Sequence, residues 1–144
     1  MFPTVTILAA LGCGAAGGVF FAFSAMVMPA LRRVAPAEGV AVMRAVNVVA
    51  LNPPFLGLFL GTAVLSALAA FEGDPWARVG AGLYLLGAVV LTVAFHVPRN
   101  QELERTATPE HWARFLREWV PGNHVRALAS LAAAAAFIVA SLHQ

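Results

Sequence analysis

Six polar side chains in this sequence gather at the ends of three apolar segments. His96 and Asn100 stand four residues apart around Pro98, and they share a face if the helix continues through the proline. Asn123, His124 and Arg126 open the last apolar segment, and Asn52 opens the second. Polar groups at a membrane boundary usually face a bundle interior or a wet cavity, so the set points to a functional pocket. A structural reading stands beside it, because Asn52 and Asn123 suit helix N-caps and Arg126 suits a headgroup anchor. The gathering of six from three segments favours the pocket. His96 and His124 could also ligate haem or a metal, as bundle cores often do. Against that, the apolar segments hold no carboxylate, the two histidines lack HxxxH spacing, and neither Cys nor Met completes a ligand pattern. No metal ligand is therefore assigned, and His111 and His143 receive no role. The single cysteine, Cys13, excludes an internal disulfide and a CxxC redox pair, which leaves it as an apolar packing residue.

The elements that position these groups follow from charge. Of the 144 residues 60% are apolar and 11% charged, and the mean hydropathy is +0.80. A soluble domain carries about 25% charged residues, and disordered chains carry more, so the chain is built for lipid. No Lys, Arg, Asp or Glu occurs in Met1–Leu31, Ala45–Phe71, Val79–Pro98 or Ala127–Gln144, runs of 31, 27, 20 and 18 residues. A spanning helix needs roughly 20 residues. The expectation is an all-α bundle of four transmembrane helices over 4–31, 50–71, 78–100 and 123–142, forming one domain over 1–144. Barrel-type alternation is absent. The first run lacks a basic start and is too long for a cleaved leader, so it reads as the first helix.

All nine basic residues are arginines. Eight (Arg32, Arg33, Arg44, Arg99, Arg105, Arg114, Arg117 and Arg126) lie in the two long connecting segments, against Arg78 alone in the short turn between the second and third helices. The positive-inside rule puts those long segments in the cytoplasm and both termini outside, in what would be a bacterial inner (plasma) membrane. The pI near 9.5 reflects this asymmetry, and no basic cluster interleaved with aromatics supports nucleic-acid binding.

The chain reads as two similar halves. Val27-Met28-Pro29, Arg32-Arg33, Ala35-Pro36-Ala37-Glu38, Met43-Arg44 and Asn52-Pro53 match His96-Val97-Pro98, Glu104-Arg105, Thr108-Pro109-Glu110, Leu116-Arg117 and Asn123-His124. Both halves enter the membrane in the same sense, which implies a pseudo-twofold along its normal. In the second connection Thr108 suits an N-cap and Pro109 the first helical position, and Trp112, Phe115, Leu116 and Trp119 share one face. An interfacial helix over 109–119 is expected, stopped by Pro121-Gly122, with its aromatic face toward lipid or the bundle mouth. The stretch 36–46 is a weaker counterpart, interrupted by Gly39. Gly14/Gly18, Gly57/Gly61 and Gly80/Gly87 suit close helix packing without marking a dimer face, so a homo-oligomer stays open.

Several stretches together resemble anthrone-oxygenase-like membrane proteins, the family that includes noranthrone monooxygenase-type proteins. They are Gly17-Gly18-Val19-Phe20-Phe21-Ala22-Phe23-Ser24 with Val27-Met28-Pro29-Ala30-Leu31, then Asn52-Pro53-Pro54-Phe55, Val97-Pro98-Arg99-Asn100, and Trp112 through Trp119 with Asn123-His124-Val125-Arg126. The resemblance covers the whole chain. It implies a four-helix membrane protein and, for members with an assigned role, cofactor-independent oxidation of an anthrone to an anthraquinone. Two positions depart from the family pattern: His96 stands where Asn is usual, and Gly122 where Trp is frequent. Both bear on the substrate rather than the fold.

On that resemblance the expected partners are a hydrophobic aromatic molecule, O₂ and the bilayer, with no cofactor. A base, donors for a phenolate-like oxygen and a dry aromatic slot would suffice. His124 is the expected base, because imidazole titrates in the useful range. Asn123, Asn100 and Arg126 would hold the oxyanion, with His96 beside them, and Asn52 would orient the substrate. Trp119, Phe20, Phe21 and Phe23 would wall the slot. A redox protein using His96 and His124, and a small transporter or assembly protein, are the alternatives. Transport lacks a membrane-embedded acid for proton coupling.

Overall fold

The computed structural model describes residues 3–143. These fold into five helices: α1 Pro3–Leu31, α2 Pro36–Val49, α3 Pro53–Ala70, α4 Pro75–Arg105 and α5 Pro109–Leu142. No strand occurs among the described residues. The helices α1, α3, α4 and α5 are long and apolar enough to span a bilayer, which makes this an integral membrane protein.

Local sequence explains the helix starts. Helices α2 to α5 each begin with proline, whose missing N–H is harmless in the first turn. Three of them are capped by a side-chain oxygen. Asn52 accepts from Phe55 N at 2.8 Å, Asp74 from Trp76 N at 2.8 Å, and Thr108 from His111 N at 3.1 Å.

The two halves share an unexpected local feature. Just before Met28-Pro29, residues Phe23–Val27 widen into a π-turn, and Met28 N–H reaches back five residues to Phe23 O. Just before Val97-Pro98, residues Thr92–His96 do the same, and Val97 N–H bonds to Thr92 O. Such turns re-aim side chains within an otherwise continuous helix.

The expected stop at Pro121-Gly122 is not there. Helix α5 runs unbroken through both residues, so the interfacial and the last transmembrane helix are one element of 34 residues. Proline removes one hydrogen bond, to the carbonyl of Arg117, and that residue lies on the exposed side where water or headgroups can satisfy it. Gly122 serves packing instead of a turn. A Cβ there would lie 2.6 Å from the Phe95 ring and 3.0 Å from the His96 ring. In the first half the break is real, because Pro53-Pro54 removes two successive donors and Asn52 is held extended at ψ 152°.

Packing divides into two cores. Within the bundle, the core is mostly small: Ala9, Ala10, Cys13, Ala16, Ala81, Ala88, Ala133, Ala134 and Ala140 around Phe20, Phe59, Tyr84 and Phe137. Of the expected glycine pairs, Gly80 and Gly87 serve close packing, since a Cβ would lie 3.0 Å from the Phe137 ring at the first and clash with Ala129 at the second, whereas Gly18, Gly57 and Gly61 face open space. Above the bundle lies a cap of large side chains: Met28, Leu31, Val40, Met43, Leu103, Trp112, Phe115, Trp119 and Val120. Trp112, Phe115 and Trp119 stack in sequence at centroid distances of 5.5 and 6.0 Å, and all three face inward rather than toward lipid. Gly39 does not interrupt α2; it seats the Trp112 ring, which a Cβ would approach to 2.7 Å. Arg44 on α2 donates to Leu103 O at 2.8 Å and Glu104 O at 2.9 Å, closing the C-terminus of α4. These two attachments hold α2 across the mouth of the bundle.

Candidate functional site

A cavity of about 650 Å³ lies where the two cores meet. Helix α1 supplies Val19, Phe20 and Phe23, and α2 supplies Val42, Met43, Val46, Asn47 and Val49. Asn52, Phe55, Leu56 and Phe59 come from the start of α3, Thr92, Val97 and Asn100 from α4, and Trp119, Asn123 and Arg126 from α5. The volume falls in the usual range for a site that encloses one small molecule.

The polar lining is organised around Arg126. This residue is 6% exposed, and its guanidinium lies 4.5 Å from the Phe20 ring centroid and 5.2 Å from that of Trp119. Nη1 donates to Thr92 Oγ1 at 3.1 Å and Nη2 to Asn123 Oδ1 at 2.8 Å, while Nε is buried without a partner. No carboxylate pairs with Arg126 among the described residues. A buried cation without a counter-ion is costly unless something anionic or strongly dipolar completes it.

Two asparagines present donors with a fixed orientation. Asn52 Oδ1 is occupied by Phe55 N–H, and Asn100 Oδ1 by Trp119 Nε1–H at 2.9 Å. Their oxygens being engaged, both leave an NH₂ group that bonds to nothing else among the described residues. Asn123 is different. Its NH₂ donates to Phe20 O and Ser24 Oγ, both at 2.8 Å, which fixes α5 against α1, and its oxygen accepts from Arg126, so no group is left over. The oxyanion role foreseen for Asn123 therefore has no free donor behind it; the side chain positions Arg126.

Seven of the ten expected residues line the cavity: Asn52, Asn100, Asn123, Arg126, Trp119, Phe20 and Phe23. Three do not. Phe21 is 58% exposed on the outer face of α1. His96 is buried behind the wall, its Nδ1 3.4 Å from Leu91 O and its Nε2 3.3 Å from Trp119 O. A neutral imidazole has one N–H and can serve one of those carbonyls at a time. Its ring packs edge-on to Trp119 at 5.1 Å, so His96 steadies the aromatic wall. His124 is exposed and lies 2.7 Å from Ser24 Oγ, at the outer end of a polar chain that continues through Asn123 to Arg126. No group of three His, Cys, Asp or Glu side chains converges among the described residues. His96 and Gly122 meet here: the missing side chain at 122 leaves the space that the His96 ring borders.

Three participants lay outside the sequence reading. Ser24 and Thr92 belong to the π-turns Phe23–Val27 and Thr92–His96, and no local pattern betrays which hydroxyl in an apolar run turns inward. Asn47 had a signal: with Asn52 it is one of two amides in the charge-free run Ala45–Phe71.

A family model described as anthrone oxygenase matches residues 42–136, which takes in every lining residue except those on α1. No curated protein and no solved structure matches the chain.

Proposed function

The chain belongs to the anthrone oxygenase family, and from that premise we propose that it oxidises a hydrophobic anthrone-type aromatic with O₂ in the cavity between its two cores. One observation carries this reading: a buried guanidinium with no carboxylate partner among the described residues, set between two aromatic rings in a largely apolar cavity. Loss of a proton from the activated CH₂ of an anthrone puts negative charge on its ring oxygen. Arg126, assisted by the NH₂ groups of Asn52 and Asn100, is suited to hold that oxygen. The electron-rich anion then reduces O₂, an oxygen–carbon bond forms at the former CH₂, and water leaves. CH₂ plus O₂ becomes C=O plus H₂O, and the released proton returns in the water.

In this scheme the guanidinium lowers the cost of the anion, so a water at the cavity mouth suffices as proton acceptor. His124, outside the cavity, is a positioning residue through Ser24 and Asn123. Phe20, Phe23 and Trp119 clasp the aromatic plane, and hydrophobic substrates reach the cavity from the bilayer. The arginine excess supports placing this end of the bundle on the cytoplasmic side.

The test is O₂ consumption and quinone absorbance with anthrone and purified protein in lipid nanodiscs. Turnover above empty nanodiscs, lost in Arg126→Met, is the expected result. No turnover by the wild-type protein, or a stoichiometric metal or haem on which turnover depends, overturns it.

A further inference from the structure

One lining residue has no task in the scheme above. Asn47, on α2, has a side-chain amide with no hydrogen bond among the described residues, and its Nδ2 is buried. Every other polar side chain of the cavity wall has its oxygen engaged: Asn52 by Phe55 N–H, Asn100 by Trp119 Nε1–H, Asn123 and Thr92 by Arg126. The cavity is thus rich in donors, and Asn47 is the lining side chain whose carbonyl oxygen is also unengaged. An amide without any partner in a largely apolar wall is unfavourable unless a ligand completes it.

We propose that Asn47 is a specificity-determining residue that recognises a hydroxyl on the substrate ring, accepting its O–H and donating to an adjacent oxygen. This inference rests on the functional reading above and refines it. Arg126 and the two oriented asparagines hold the oxygen that becomes charged, on the α3–α5 side. Asn47 approaches from α2, the helix laid across the mouth by Arg44 and Gly39. Helix α2 is therefore the element that reads the substrate's substituents. A neutral hydrogen bond of this kind is worth about tenfold at most in affinity.

The experiment compares anthrone with 1,8-dihydroxyanthrone, titrated anaerobically into protein in lipid nanodiscs and followed by tryptophan fluorescence, with empty nanodiscs as baseline. Asn47→Leu, which keeps the volume, and Asn47→Ala, which does not, are measured beside the wild-type protein. Each should bind the dihydroxy compound about tenfold more weakly while anthrone stays within about twofold. Both compounds weakening together in both variants, with helical content unchanged, overturns the inference, because that is loss of packing. An unchanged preference overturns it as well. If the wild-type protein binds neither compound, the functional reading fails and this refinement fails with it; binding with no role for Asn47 sinks the refinement alone.

Discussion

The bundle core and the cap core are built from opposite materials. Between α1, α3, α4 and α5 the buried positions are mostly alanine, with Ser66, Thr62 and Ser130 among them. In the cap they are tryptophan, phenylalanine, methionine and leucine. The difference follows from the solvent. Lipid tails are as apolar as leucine, so burying large hydrophobes between helices gains little there, and close backbone approach through small residues drives association. The cap lies among most of the chain's charges and borders water, where burying large apolar groups does stabilise. Helix α5 joins both regions; at 34 residues it is about 51 Å long, well beyond the roughly 30 Å hydrocarbon core. Two cores of different grain cannot interlock perfectly, and the cavity occupies their seam.

The contrast can be broken most severely in the cap. Trp119→Ala should cost about 3–5 kcal/mol and collapse the aromatic wall, read as a large drop in thermal unfolding temperature in detergent. A loss no larger than that of an exposed control such as Trp76→Ala would mean that the cap is not a core. Next comes the seam itself. Arg126→Met should lower turnover at least about 100-fold, the scale of losing an oxyanion donor, without unfolding the protein. In the bundle, Gly17→Leu drives a side chain against Leu131, whose backbone N lies 3.2 Å from the position of a Cβ, and should destabilise by about 1–3 kcal/mol. The same change at Gly57, which faces open space, should be neutral in the same assay, and equal damage at both would contradict the packing.

The smallest effect sharpens the division of labour at the seam. His124→Ala should leave kcat within a few-fold, because its ring meets Ser24 outside the cavity. Abolished turnover in a folded protein would restore histidine as the direct base. Asn100→Ala falls between these extremes, with about a tenfold loss from one donor and a loosened Trp119.

Much of the fold was written in the order of the residues. Charge-free runs marked the four spans, and Asn52, Thr108 and their following prolines marked helix starts, because capping and backbone donors are local affairs. The continuity of α5 was hidden, because whether a single proline breaks a helix depends on what lies around the freed carbonyl. Most of the cavity wall was legible too, since an amide or an arginine in a lipid-facing composition stands out. Its orientation was not. Only packing separates Asn123, whose bonds are all spent on α1 and Arg126, from Asn52 and Asn100, which keep donors to spare.

What the sequence by itself determined is the solvent, the number of spans and the end of the bundle where polar groups collect, all consequences of how each residue partitions between water and lipid. The tertiary structure decided which of those groups share a space. It put His124 on the outer surface and His96 behind the wall, and it brought Asn47 from α2 to face Arg126's cavity. That assignment depends on helix rotation, on two π-turns and on the close approach at Gly122, and each is set by contacts between segments distant in the chain.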